Sequence, residues 1–208
     1  IESARIGEQV EVGDLKLIGE IIVLEGKHAV VQVYESTISL RPGDRVKSLG
    51  FPLSVELGPG LLSQIFDGTQ RPLKVISDQY GDYIPRGVRI PSLDRKKICH
   101  FTAREELEPG QQLNGGEVLG SVQETELIQH SILVPPDISG ELLELAPSGD
   151  YTIDQSIARV RKPDGHIHKL KLYHRWPVRK ARPYQRRDRV SEPLITGQRI
   201  LDTFFPLL

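Results

Sequence analysis

LKLIGEIIVLEGKHAVVQV, Leu15 to Val33, decides the fold class. Its two halves are rich in Ile, Val and Leu and meet at Glu25-Gly26-Lys27, and branched residues on both sides of a glycine turn suit a pleated surface. The stretch predicts a hairpin. Next comes Arg41-Pro42-Gly43-Asp44, with Pro where φ must be fixed and Gly where a positive φ is tolerated, leading into another short apolar run. Residues 1–55 therefore read as part of a small β-barrel. A piece this short buries only about 60% of its unfolded surface, so it is expected to lean on a neighbour or on copies of itself.

Farther along the chain the same signals recur. The pairs Leu61/Ile65 and Leu62/Phe66 stand at i,i+4 spacing between Gly58-Pro59-Gly60 and Asp67-Gly68, which predicts a two-turn helix inside Glu56–Leu73. Asn114-Gly115-Gly116 reads as a hairpin turn, and strands are expected near 117–120, 131–134, 140–145 and 150–160. Gly 19 and Pro 15 in 208 residues exceed average usage, again favouring turns and short strands, and 38% hydrophobic residues suffice for a core. The class predicted is mainly β. Met is 0 and the chain opens at Ile1, which suggests a trimmed or partial chain. One cysteine, Cys99, excludes an internal disulfide framework and fits a reducing compartment, and no apolar run approaches the roughly 18 residues that span a bilayer.

Charge divides the chain. A formal net charge of -1 conceals 12 Lys and Arg against two acids between Arg159 and Arg189. That strip, with Tyr173, Trp176 and Tyr184, invites a β-barrel nucleic-acid-binding module as an alternative reading, because cations neutralise phosphates and aromatics stack bases. Pro177 and Pro183 interrupt it, and arginines beside Pro and Trp serve equally to bind carboxylates of another protein chain, the reading preferred here.

The remaining constellations carry less. His166-x-His168 with His174 lacks a clear third ligand, so no metal site is assigned. Cys99 beside His100 only superficially resembles a nucleophile and its base, and Cys99 is read as structural. Pro109 to Val160 has the hairpin pattern of biotinyl and lipoyl carrier modules, but the expected tip, Val122-Gln123-Glu124-Thr125-Glu126, has no lysine to carry a cofactor. The one Gly-Lys pair, Gly26-Lys27, fails the phosphate-loop pattern at both ends, with Ile21 and His28 where Gly and Ser/Thr belong. No catalytic, cofactor-binding or metal residue is predicted.

Four segments together, ELGPGLLSQIFDGTQRPL (Glu56–Leu73), VPPDISGEL (Val134–Leu142), RWPVRKARPY (Arg175–Tyr184) and PLITGQRILDTFFP (Pro193–Pro206), closely resemble the catalytic A subunit of the rotary V-type and A-type ATPases. IGEIIVLEG, VVQVYE and LRPGD near the start extend the likeness over essentially the whole chain. The resemblance implies an N-terminal six-stranded-type β-barrel, the crown, over 1–55, and a first piece of a nucleotide-binding core over 56–73. It implies a barrel-sandwich-like bulge insert over 74–174 and a return over 175–208 into an α/β P-loop domain, ending before the phosphate loop. It further implies ATP or ADP with Mg²⁺ in the full-length protein only, and B subunits alternating with it in a hexameric ring. Peripheral-stalk subunits would meet the bulge and central rotor subunits the longer chain, on the cytoplasmic side of a membrane touched only through the complex. One departure is Ile98-Cys99-His100-Phe101, where the family leads one to expect Trp at the cysteine.

Overall fold

The computed structural model describes residues 4–184 and 191–207. The N-terminal sheet holds β1 (Glu8–Val12), β2 (Leu17–Glu25), β3 (His28–Val33) and β4 (Val46–Pro52), all antiparallel, in the order β3-β2-β1-β4. The predicted hairpin forms with Glu25 opposite His28, and Gly26 supplies the positive φ (+56°) that a two-residue turn needs at its first central position. Four strands are present here among the described residues, against the six of the expected barrel. Alternation along β1 turns Val10 and Val12 inward to meet Ile21, while Val30 and Ile22 stay largely exposed on the other side. Among the described residues, Val10, Val12 and Ile21 form the buried cluster of this sheet, a thin core.

After β4 the chain forms β5 (Ser54–Leu57), then loops to α1 (Leu73–Tyr80). The helix predicted within Glu56–Leu73 does not form; residues 58–70 are turns. The Asp67 carboxylate takes hydrogen bonds from the Thr69 and Arg71 backbone N–H groups (2.9 and 2.8 Å) and from the Thr69 hydroxyl, offering the backbone an alternative to helical pairing. Ser63 and Gln70 adopt positive φ, and the Leu73 N–H closes the loop on the Ile65 carbonyl at 2.9 Å. Ile65, meant for a packed helical face, is 70% exposed.

The second unit packs two four-stranded antiparallel sheets. One is β13 (Ile167–Lys171), β12 (Ser156–Arg161), β10 (Gly140–Leu145) and β7 (Gln112–Leu113); the other is β11 (Gly149–Thr152), β6 (Ile98–Ala103), β8 (Val118–Gln123) and β9 (Gln129–Leu133). Sixteen buried side chains lie between them, with Phe101 at 0% exposure meeting Tyr151 edge-on at 6.2 Å. Asn114-Gly115-Gly116 turns the chain, but β7 pairs with β10 and β8 with β6 and β9, so the turn crosses between sheets instead of closing a hairpin. Glycine is needed for closeness: a Cβ on Gly115 would stand 2.5 Å from the Pro136 carbonyl oxygen.

The sandwich hands the chain to β14 (His174–Pro177), which pairs antiparallel with β5, His174 opposite Leu57 and Pro177 opposite Ser54. Departure from and return to the N-terminal sheet are thus side by side. A short α2 (Arg199–Phe204) lies near the end. Among the described residues, no helix is long and apolar enough to cross a membrane.

Candidate functional site at the module junction

Carboxylates set in otherwise apolar strands organise the junction. Glu56, in the middle of β5 and 6% exposed, receives the Arg95 Nη2 at 2.6 and 2.5 Å on its two oxygens and the Arg175 Nη2 at 3.2 Å. Its own backbone exchanges hydrogen bonds with the Gln70 side-chain amide at 2.6 and 2.7 Å. Arg95 also lies over the Tyr173 ring at 4.4 Å and 3.8 Å from Asp154, which accepts from Lys171 at 2.9 Å. The contact with Lys171 holds the Asp154 carboxyl below its ordinary range. Burial opposes the charge on Arg95, but the Glu56 contacts outweigh it and raise the guanidinium further. Asp154–Arg95–Glu56–Arg175 therefore runs continuously from the sandwich to the β5–β14 ribbon.

A second knot ties the returning chain to the N-terminal sheet. Glu20 of β2, 3% exposed, takes both forks of Arg179 at 2.8 and 2.9 Å and the Tyr34 hydroxyl at 2.5 Å. The Arg179 hydrogen bonds lower Glu20, whereas burial, then Glu20 itself, raises the Tyr34 phenol. The third knot is Glu124, at the foot of the β8–β9 loop, which accepts from the Gly60 and Leu62 N–H groups at 2.6 and 3.3 Å and stands 3.2 Å from His130. At this tip, where a carrier would need a lysine, the glutamate turns inward and Leu127 stands 94% exposed.

The sequence candidates fall around this framework. Residues 185–190 of the basic strip lie outside the described residues. Of the nine Lys and Arg from Arg159 to Arg182, five pair with the chain's own carboxylates: Arg159 with Glu144, Arg161 with Glu141, Lys171 with Asp154, Arg175 with Glu56 and Arg179 with Glu20. Lys180 and Arg182 stack on Trp176, each 5.1 Å from its ring. Two of these pairs, Arg175–Glu56 and Arg179–Glu20, tie the strip back to β5 and β2, while most of its described basic side chains remain exposed. His174 accepts from Arg182 at 2.8 Å, and burial with that cation pushes its pKa down to about 4. His166 sits in a turn and His168 on β13, and among the described residues no group of three metal-ligating side chains gathers. Cys99 is buried, its thiol raised by burial, while the exposed His100 faces away to bond Asp150 at 2.7 Å, so the two neighbours occupy opposite faces of β6.

Could these residues hold a nucleotide and its metal? Gly26-Lys27 is taken up by the β2–β3 turn. A cleft of about 520 Å³ presents Arg71, Arg89, Arg95 and Arg175, but each pairs with a carboxylate of this chain, and no step of ATP chemistry is assigned here. Sequence reasoning missed Glu20, Glu56, Glu124 and Arg95; the available signal was a lone acid inside an apolar strand, as in GEIIV and SVEL.

The beta-barrel domain of the ATP synthase alpha/beta family matches residues 2–50, and that family's barrel-sandwich domain matches residues 90–179. Over 205 residues the chain is 54% identical to the A subunit of the A-type ATP synthase of Thermococcus kodakarensis, covering 99% of this chain and 35% of that protein. It is 55% identical over 202 residues to the V-type ATP synthase alpha chain of Nitrosococcus oceani, covering 97% and 34%. With the corresponding A-type protein of Pyrococcus horikoshii it shares 53% over 206 residues, covering 99% and 21%. The chain spans about a third or less of the length of these relatives. Two of the family's domains in order, on a mainly β framework, and identity above one half to these relatives place this chain in the ATP synthase alpha/beta family, as an N-terminal part of the A subunit of an A-type or V-type ATP synthase.

Proposed function

We propose that this chain is the non-catalytic N-terminal part of a protein whose full length hydrolyses or synthesises ATP, with Mg²⁺, coupled to proton or sodium movement across a membrane. The N-terminal sheet assembles the ring with alternating B subunits, and the sandwich docks peripheral-stalk subunits. Rotor contacts and the P-loop belong to the longer chain, held peripherally on the cytoplasmic side of the membrane through the complex. One observation supports this reading beyond the family likeness: arginines cross-brace the modules onto two buried carboxylates, Glu56 and Glu20, which suits a static bearing better than a moving catalytic part. Among the described residues, the pairing of Arg159, Arg161, Arg175 and Arg179 with this chain's own carboxylates weighs against a nucleic-acid surface.

The test compares the full-length protein, reconstituted with B subunits, against these 208 residues alone. The first is expected to hydrolyse ATP and the second neither to hydrolyse nor to bind it. Tight ATP binding by the short chain sinks the reading, and submicromolar single-stranded RNA binding that falls steeply with salt would favour a nucleic-acid module instead.

A further inference from the structure

A groove of about 590 Å³ separates α1 from the segment 90–97. Pro72 and Val75 form one wall, with Gln79 a turn beyond Val75 on the same helical face, and Ile90, Pro91 and Leu93 form the other. Both walls are anchored: Ile76 beneath α1 is 0% exposed and Leu93 belongs to the sandwich core. Val75 remains 36% exposed, and Leu62 (40%) and Ile65 (70%) stand exposed on either side of Gln64, which lines the groove.

Lys96 and Lys97 stand at the end of the second wall, and neither ammonium meets a carboxylate among the described residues. The acid beside them, Asp94, accepts from the Lys96 backbone N–H at 2.9 Å. Arg95 also borders the groove but is engaged by Glu56. The surplus is positive and the lining largely apolar. We propose that this groove docks an acidic amphipathic helix of a partner protein, apolar side chains on Val75, Ile90 and Pro91 and carboxylates on Lys96 and Lys97.

The charge selects among occupants. This chain's own basic strip would add cations to cations. A second copy would offer α1, whose one acid, Asp78, is balanced by Lys74. Two lysines over an apolar floor give no track for successive phosphates. An apolar helical stripe with acids on its flank satisfies both features at once, in the helix-in-groove mode. The inference stands on α1 and residues 90–97 and does not depend on the rotary reading.

The test uses the full-length protein and a fluorescent synthetic helix of about five turns, with leucines at i, i+3, i+4 and i+7 and glutamates elsewhere; a twin peptide has lysines for the glutamates. The glutamate peptide should bind, and the lysine peptide at least about tenfold more weakly. Lys96→Glu with Lys97→Glu should weaken the glutamate peptide by about tenfold and reverse the preference, and Val75→Asp should weaken both peptides. The two lysines are exposed, so their variant keeps the test valid even if Val75→Asp disturbs α1. Equal binding of the peptides, no binding, or binding indifferent to the lysine variant overturns the proposal. Self-association abolished by Val75→Asp would assign the groove to a second copy and overturn it too.

Discussion

Replacing Arg95 by Met should loosen the junction without unfolding the sandwich. Arg95→Met keeps most of the side-chain volume and removes the guanidinium whose Nη2 reaches both Glu56 oxygens. Glu56, 6% exposed, is then left with Arg175, whose side chain is 57% exposed and contributes correspondingly less. Removing one partner of a buried pair costs roughly 3–5 kcal/mol when nothing replaces it, and the surviving Arg175 contact cuts that to about 2–3 kcal/mol. Loss of Arg95 over Tyr173 adds about 0.5–1 kcal/mol at a partly exposed site. A total of about 3 kcal/mol is a large share of a domain's usual stability of roughly 5–15 kcal/mol, but the loss should be confined to the junction. Native-state hydrogen exchange is the assay. Amides of Val55, Leu57 and Trp176 should lose protection, while those of Phe101, Val122 and Leu142 keep theirs. Adding Glu56→Gln to Arg95→Met should restore much of the loss, because the stranded charge is gone. The reasoning is refuted if the single variant changes β5–β14 protection by less than about tenfold, or if the double variant is worse than the single by the full cost of another pair.

Other perturbations probe other links. Phe101→Ala empties the centre of the sandwich core and should cost about 3–5 kcal/mol in denaturant unfolding of that unit, with β1–β4 protection unchanged. Gly120→Ala would put a Cβ 2.3 Å from the Thr102 carbonyl oxygen, so it should part β8 from β6 and lower the melting temperature of the sandwich, which differential scanning calorimetry reads. For pH, the folded pKa of His174 lies at about 4, below its ordinary 6.5. The unfolded chain therefore takes up a proton that the fold refuses, and stability present above about pH 6.5 falls as pH drops toward 4. His174→Gln, an uncharged acceptor for Arg182, should flatten that slope in pH-dependent unfolding, and an unchanged slope would count against the His174 assignment.

The hairpin at Glu25-Gly26-Lys27 was legible because its information is local: branched residues, a glycine turn and a register fixed by two residues. The sandwich strands were legible for the same reason. The helix expected in Glu56–Leu73 was not there, because i,i+4 leucines and isoleucines are helical only if a core receives them, and Asp67 offered the backbone a competing set of hydrogen bonds. Asn114-Gly115-Gly116 announced a turn, but which strands it joins depended on partners tens of residues away. The junction was least legible. Glu56 and Arg95 are 39 residues apart, Glu20 and Arg179 are 159 apart, and no local pattern announces either pair.

That separation also explains the charge asymmetry. A strip of arginines next to an acidic body looks like an outward electrostatic surface when counted along the chain. In space, Arg175 and Arg179 follow the sandwich and reach back to Glu56 and Glu20, which precede it. An insertion of about a hundred residues between two paired strands carries a loop-closure penalty that grows only slowly with length, roughly 0.6 kcal/mol per doubling, but its root must still be fixed in direction. Two antiparallel strands of four residues each cannot fix it, since so short a ribbon is marginal alone. Ion pairs at both ends of that ribbon can, because a buried carboxylate with a forked guanidinium accepts few other geometries. Arg175 and Arg179 of the basic strip are therefore best understood as the means by which the sandwich is aimed, and its aim should fail when the two glutamates are removed even though every strand of the sandwich remains folded.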